Sequence, residues 1–318
     1  MKYNPLVSII IPVYNGSNFM AEAIESALNQ TYKNIEVIVV NDGSKDGGKT
    51  DAIAKSFLPR IKYIDKPNGG VGSAINEGIR QMKGEYASWL SHDDLYYPQK
   101  IERQISLLNE ILEREGYFND IIYSATEAVN VKGETILRKS CIREEVQTAT
   151  IVFSNFSKFR ICGCATLIPK TLFEEIGYFD EKLKTVQDTE FWCRVLFCEH
   201  KYYFQNEYLV KNRRHSEQTS RTLSDEWNKE IIDYQTIFID KIAADTRLAS
   251  SVAIWKGVGE DIIVKFPKVV RSYFINRINQ LALERKDKIS IRRSVYYWQV
   301  KRLCRLLAKI IYNKFIAK

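Results

Sequence analysis

The sequence predicts an α/β protein built on a mostly parallel, doubly wound sheet. Three observations predict it. Apolar runs rich in β-branched residues alternate with helix-patterned stretches from the first residues to about residue 90, and the connections between them are short. Acidic residues recur directly after the strand-like runs: Asp42, the pair Asp93-Asp94 and, later, Asp188. Repeated βα units with short connections give parallel sheets, and carboxylates at strand carboxyl ends face the crevice where such sheets bind ligands.

Leu6 to Val13 is a continuous apolar run, as in a strand buried on both faces, and Ala23, Ile24, Ala27 and Leu28 then share one helical side. Ile35 to Val40 repeats the buried-strand pattern. A turn-forming stretch from Asp42 to Gly48 and a short helix through Ile53 and Phe57 complete the second unit. Ile61 to Ile64, a glycine-rich loop from Pro67 to Gly72, and a helix from Ser73 to Met82 make the third, and Tyr86 to Leu90 supplies a fourth strand. Pro98 opens a helix carrying Ile101, Ile105, Leu108 and Leu112, and Gly116 ends it.

The strict alternation then stops. Ile121 to Tyr123, and Ala128 to Leu137 around Lys132-Gly133, predict a strand and a hairpin, Ala165 to Ile168 another strand, and Thr189 to Cys198 a helix. Beyond Arg221 the pattern is helical, so the second half of the sheet is mixed and a C-terminal helical extension follows.

The chain has 318 residues, 45% hydrophobic and 27% charged, a globular composition long enough for a substantial core. Its formal charge of +8 is local: residues 281–318 hold 11 basic and 2 acidic residues, and the rest is close to neutral. That distribution argues against nucleic acid as a partner. In the tail, Tyr296, Val300, Leu303, Leu307 and Ile310 share one helical face, opposite Arg302, Arg305, Lys309 and Asn313. Such a basic amphipathic helix, about residues 289–318, is expected to lie on an anionic membrane surface or to pack on protein. Six cysteines, at 141, 162, 164, 193, 198 and 304, show no C-x-x-C pairing and are expected to be reduced thiols of a cytoplasmic protein on the inner membrane face. The N-terminal apolar run is far shorter than the ~20 residues of a membrane span.

Several motifs resemble those of glycosyltransferase family 2, the inverting GT-A nucleotide-sugar transferases. They are Ile11-Pro12-Val13-Tyr14-Asn15, Asn41-Asp42-Gly43-Ser44, Asn68-Gly69-Gly70 with Ala74-Ile75-Asn76, Asp93-Asp94, Gly177-Tyr178-Phe179-Asp180-Glu181 and Gln187-Asp188, in the family's order. The resemblance implies a GT-A catalytic domain over about 1–220, with a nucleotide-binding half to about 98 and an acceptor half after it, followed by the helical region 221–318.

It further implies that Pro12, Tyr14, Asp42, Asn68, Gly69, Gly70 and Asp93 line the nucleotide site, with Tyr14 stacking on the base and Asp42 accepting from it, as suits uracil. Asp94 would hold Mn²⁺ or Mg²⁺ on the diphosphate, His215 would complete the shell, and Asp188 would be the general base. His92, Arg213 and Arg214 are further candidates for phosphate or sugar contacts. The implied partners are a nucleotide-sugar donor, expected to be a UDP-sugar, and a glycan or lipid-linked acceptor in bacterial surface polysaccharide assembly. Two departures from the family pattern stand out: His92 and Gln187 each occupy a place where the family often has an acid.

Taken singly, Asp42 fits an Asx-turn, Asp188 a helix start, and Asp93-Asp94 a solvated helix entry. Their joint placement after strands is what points to a site. A dinucleotide fingerprint is incomplete, because Gly70-Val71-Gly72 lacks its third glycine, where Ile75 stands. The opposing class is a noncatalytic nucleotide-sugar-binding or scaffold protein, which would have no turnover for Asp188→Asn to remove.

Overall fold

The computed structural model describes residues 3–138, 144–156, 161–218 and 224–316, with side chains up to Leu303 in the last helix. The chain forms two compact units, Met1–Thr148 with Ile161–Trp227, and Ala149–Arg160 with Asn228–Lys318. The chain passes into the second unit after Trp227, and a short internal segment also belongs to that unit.

In the first unit, the expected βα units appear as β1 (Val7–Val13), α1 (Met20–Leu28), β2 (Ile35–Asn41), α2 (Lys49–Ser56), β3 (Lys62–Asp65), α3 (Val71–Gln81) and β4 (Tyr86–Trp89). A two-residue strand β5 (Leu95–Tyr96) and α4 (Lys100–Glu115) follow. Every residue of β1 is buried, as its uninterrupted apolar run requires of a central strand. Helix α4 turns Ile101, Ile105, Leu108 and Ile111 into the core and stops at Gly116 in the left-handed region.

The later strands are β6 (Ile121–Val129), β7 (Thr135–Arg138), β8 (Val146–Gln147), β9 (Thr166–Pro169) and β10 (Tyr202–Arg213); α6 here denotes Lys170–Ile176, after α5 (Ala149–Ser154), and α7 is Gln187–Phe197. The sheet order is β3-β2-β1-β4-β9-β6-β10-β5, with β7 on β6 and β8 on β10. β1, β2, β3 and β4 are parallel. β9 runs against both β4 and β6, and β10 is parallel to β6. Two reversals restore the direction, so the carboxyl ends of β1, β2, β4, β6 and β10 share one edge. Since α7 leads into the start of β10, its own N-terminus lies toward that same edge.

The second unit is helical as expected: α5 with α8 (Ser224–Ala244), α9 (Thr246–Ala249), α10 (Val252–Lys265), α11 (Lys268–Gln280) and α12 (Arg285–Ile316). Asp245 caps α9 by accepting from the amides of Arg247 and Leu248, and Ser251 caps α10 by accepting from Ile254. Phe238 of α8 stacks on Phe156 at 4.7 Å and meets Phe153 edge-on. Helix α10 approaches α5 so closely that a Cβ on Gly257 would fall 2.2 Å from the carbonyl oxygen of Ser154. On α12, Ile291 and Val295 are buried and Arg302 donates to the carbonyl of Ile263, whereas Tyr296, Val300 and Leu303 are exposed. The apolar stripe drawn from the sequence therefore faces outward over its described part; Leu307, Ile310, Arg305, Lys309 and Asn313 lie outside the described side chains. Among the described residues no helix is long and apolar enough to cross a membrane.

Candidate active site

The carboxyl edge of the sheet gathers the sequence-predicted residues on separate loops. Pro12 is buried within β1 opposite Val40, one residue before the strand ends, and it carries the chain to Tyr14, which is exposed. Asn15 ties this loop to the next one: its amide donates to Ser44 Oγ and its side-chain oxygen accepts from the amide of Lys45.

Asp42 follows β2 and is buried. Its Oδ1 accepts from Lys66 Nζ at 2.8 Å and the amide of Gly69 at 2.9 Å, and its Oδ2 accepts from the amide of Gly70 at 2.7 Å and Asn68 Nδ2 at 3.1 Å. A single carboxylate thus gathers the loop Asn68-Gly69-Gly70 at the entry to α3. Gly43 completes the approach: its φ of +67° is in the left-handed region, and a Cβ there would stand 2.7 Å from the amide nitrogen of Asn68.

The acidic pair after β4 divides in two directions. Asp93 Oδ2 lies 2.9 Å from His215 Nε2, and its Oδ1 has no hydrogen bond among the described residues. Asp94 is buried: its Oδ1 accepts from the amide of Arg213 at 2.9 Å, its Oδ2 from Asn212 Nδ2 at 3.0 Å, and Cys164 Sγ stands 3.2 Å from Oδ2. Burial, then the neighbouring Cys164 and Asp93, push the Asp94 carboxyl well above the usual carboxylate range.

His215 therefore meets Asp93 and not Asp94, which shifts the expected cation-binding pair by one residue. Arg213 likewise departs from its expected role. Its guanidinium is buried over the Phe19 ring and donates to the carbonyls of Asp93 and Val131 and to Glu22. Those bonds occupy all three of its nitrogens, so it shapes the loop instead of reaching a phosphate. Arg214 is exposed beside it. The residues Thr219 and Ser220 that continue this stretch lie outside the described residues.

His92 is half-buried with its ring against the tight turn at Gly16. Burial pushes its pKa down, more than Asp93 pulls it up, which favours the neutral ring, and the ring packs locally.

Asp188 lies in the first turn of α7. Its Oδ1 accepts from the amide of Thr189 at 2.6 Å, and its Oδ2 has no hydrogen bond among the described residues. Burial pushes its carboxyl pKa up against the opposing pull of the Thr189 amide. The helix is placed by aromatic packing: Phe179 stacks on Phe191 at 4.4 Å and meets Trp89, at the end of β4, edge-on at 6.0 Å. Asn76 of α3 holds the amide and carbonyl of Phe179. The buried side chain of Gln187 would stand 3.6 Å from a Cβ on Gly72, so the start of α7 borders the start of α3, where the Asp42-bound loop ends.

The donor set at Asp93 and His215 is one carboxylate, which suits Mn²⁺ or Mg²⁺, and one imidazole, a common nitrogen ligand of divalent cations. Among the described residues, Asp93 has a free oxygen to offer, His215 Nδ1 is buried with no partner, and only Asp93 meets the ring's nitrogens. The residues present fit a divalent cation there. Asp94, held by Asn212 and the Arg213 amide, fits as the support of that pair.

Three contributors escape the sequence reading. The strand β10 sets Asn212, Arg213 and His215 beside the acidic pair, and its signal was present in Tyr202-Tyr203-Phe204 and Tyr208-Leu209-Val210. Lys66, which binds Asp42, and Cys164, which binds Asp94, carry no local pattern that singles them out.

The family model of glycosyl transferase family 2 matches residues 8–177. An uncharacterized glycosyltransferase of Rickettsia typhi is 44% identical over 90% of this chain and 86% of its own length. One from Rickettsia bellii is 48% identical over 76% of this chain, which spans only 34% of that longer protein. The crystal structure of Staphylococcus aureus TarS 1–349 in complex with UDP-GlcNAc superposes with a TM-score of 0.62 and 16% identity, covering 93% of this chain and 88% of that one. That likeness is one of fold, the GT-A fold.

Proposed function

Because the chain belongs to glycosyl transferase family 2, we propose that it moves a single sugar from a uridine-diphosphate sugar to a hydroxyl of a glycan or lipid-linked acceptor. The observation that carries this reading is the meeting of Asp93 with His215 at the sheet edge toward which the first turn of α7, with Asp188, also opens. Supporting it, TarS has been crystallised with UDP-GlcNAc, and a chondroitin synthase of Pasteurella multocida is 36% identical over 49% of this chain.

In this reading Tyr14 stacks on the nucleobase, and Asp42 shapes the base site by fixing Asn68, Gly69 and Gly70. Asp93 and His215 hold Mn²⁺ or Mg²⁺, which when bound offsets the charge on the leaving diphosphate. Arg214 faces the phosphates. Asp188 accepts the proton of the acceptor hydroxyl through its unoccupied oxygen as that hydroxyl's oxygen bonds to the anomeric carbon. The bond from that carbon to the diphosphate breaks on the opposite face, so the configuration inverts. The acceptor belongs to bacterial surface polysaccharide assembly at the cytoplasmic membrane face. There the exposed Tyr296, Tyr297, Val300 and Leu303, flanked by Arg292 and Arg293, lie in an anionic lipid surface.

The deciding experiment titrates a panel of nucleotide sugars with Mn²⁺ present and absent and follows nucleotide release with acceptor glycans. Cation-dependent binding of a UDP-sugar is the expected result. Binding that ignores both the cation and an Asp93→Ala substitution would refute the site.

A further inference from the structure

One residue beyond Asp93, the ligand atoms of Asp94, Cys162 and Cys164 all lie within 4.8 Å of one another. The two thiols take no part in the transfer chemistry. Two sulfurs and one carboxylate form the donor set of a thiophilic cation, whereas Mg²⁺ and Mn²⁺ favour oxygen. We propose that Cys162, Cys164 and Asp94 form a second cation site, for Zn²⁺ or a cation of the same soft class, distinct from the carboxylate–imidazole site at Asp93 and His215.

The geometry is held from several sides. Gly163 lies between the two cysteines at the start of a 3-10 turn, Gly163–Ala165. It presses so closely on Trp89 that a Cβ would come within 2.2 Å of the indole, which pins the turn. Cys164 Sγ accepts from the amide of Ser91 at 3.2 Å. Asp94 is oriented by the amide of Arg213 on Oδ1 and by Asn212 Nδ2, 3.0 Å from Oδ2; Oδ2, also 3.2 Å from Cys164 Sγ, is the oxygen toward the cation. Hydrogen bonds that orient a ligand in this way are the usual outer support of a metal site.

Charge also balances. Two thiolates, one carboxylate and a divalent cation leave one negative charge. Buried Lys100, whose Nζ donates to the carbonyl of Thr166 at 3.0 Å, feels both thiols, whose negative charge would favour its protonated form. Cys162 is half-buried, which would give a cation access to the cluster from solvent. Binding forms two metal–sulfur bonds and one metal–oxygen bond. It releases the two thiol protons, and the Asp94 proton when one is held, to solvent; no electron is transferred.

The test uses the full chain, kept reduced, titrated with Cd²⁺ while the ultraviolet sulfur-to-cadmium charge-transfer band is read. The band is expected to saturate at one equivalent, to vanish in Cys162→Ser, and to remain in Cys198→Ser, whose thiol is exposed and separate. Circular dichroism of Cys162→Ser establishes that the variant is folded. Zn²⁺ is expected to displace the band and Mg²⁺ to leave it. No band in the wild-type protein, an equal band in folded Cys162→Ser, or equal displacement by Mg²⁺ would overturn the proposal. None of these readings depends on glycosyl transfer.

Discussion

His215 Nε2 lies 2.9 Å from Asp93 Oδ2, although 122 residues of chain separate them. The contact exists because β10 runs parallel to β6 and ends at Arg213 beside the loop that leaves β4. His215→Ala is expected to raise the Mn²⁺ concentration needed for half-maximal activity by at least about tenfold. Asp94→Asn is expected to act first on stability, since it disturbs the bonds to Asn212, Arg213 and Cys164. Rates measured against Mn²⁺, together with urea unfolding of both variants, distinguish the two residues.

Asp188 as base predicts both a loss and a pH profile. Asp188→Asn is expected to lower kcat by about 10²–10⁴ while donor affinity stays close to the wild type. Because burial raises the Asp188 pKa above its ordinary 3.8, the acid limb of kcat/KM is expected to fall at a higher pH than for a solvent-exposed aspartate. Activity is present above that midpoint and lost below it, because only the ionised carboxylate accepts the proton. A limb that persists unchanged in the residual activity of Asp188→Asn would assign it to another group.

Removal of the Asp42 carboxylate leaves the amides of Gly69 and Gly70 and the ammonium of Lys66 without their acceptor. Breaking a buried pair of this kind costs about 3–5 kcal/mol. Asp42→Ala is therefore expected to lower the urea midpoint strongly and to weaken donor binding through a loosened loop. Asp42→Asn, which can still accept on one oxygen, is expected to lose less on both measures.

Lys100 provides a stability test. Burial pushes its pKa from an ordinary 10.5 down to about 7. Between those values the unfolded chain holds a proton that the folded chain has released, so stability rises with pH across the interval. The slope is at most about 1.4 kcal/mol per pH unit, and it levels off below the lower value. Urea unfolding across this range is expected to show that rise in the wild type and a flatter profile in Lys100→Met.

Much of the nucleotide-binding half was legible because its signals are local. Buried parallel strands are apolar throughout, so β1 and β2 stand out, and Gly-rich loops mark where each strand ends. Asp42 could be placed at such an end, but not its partner Lys66, because the ion pair is set by the sheet and leaves no periodic trace. The same limit explains the shift from Asp94 to Asp93. Adjacent carboxylates look equivalent in sequence, and only the return of β10 decides which one meets His215 and which is sealed against Cys164. β10 itself was obscured by Gln205-Asn206-Glu207, where its pairing with β6 is irregular and the apolar pattern breaks.

The stretch Ala149–Arg160 belongs with the C-terminal helices, although the first unit's chain resumes at Ile161. Phe153 and Phe156 need Phe238, and the bare carbonyl of Ser154 accommodates the notch at Gly257. The helical unit is therefore not a cassette that one junction can exchange. A polypeptide severed after Trp227 would keep a greasy fragment of its lost companion, and any graft of these helices onto another catalytic body must transplant two pieces together.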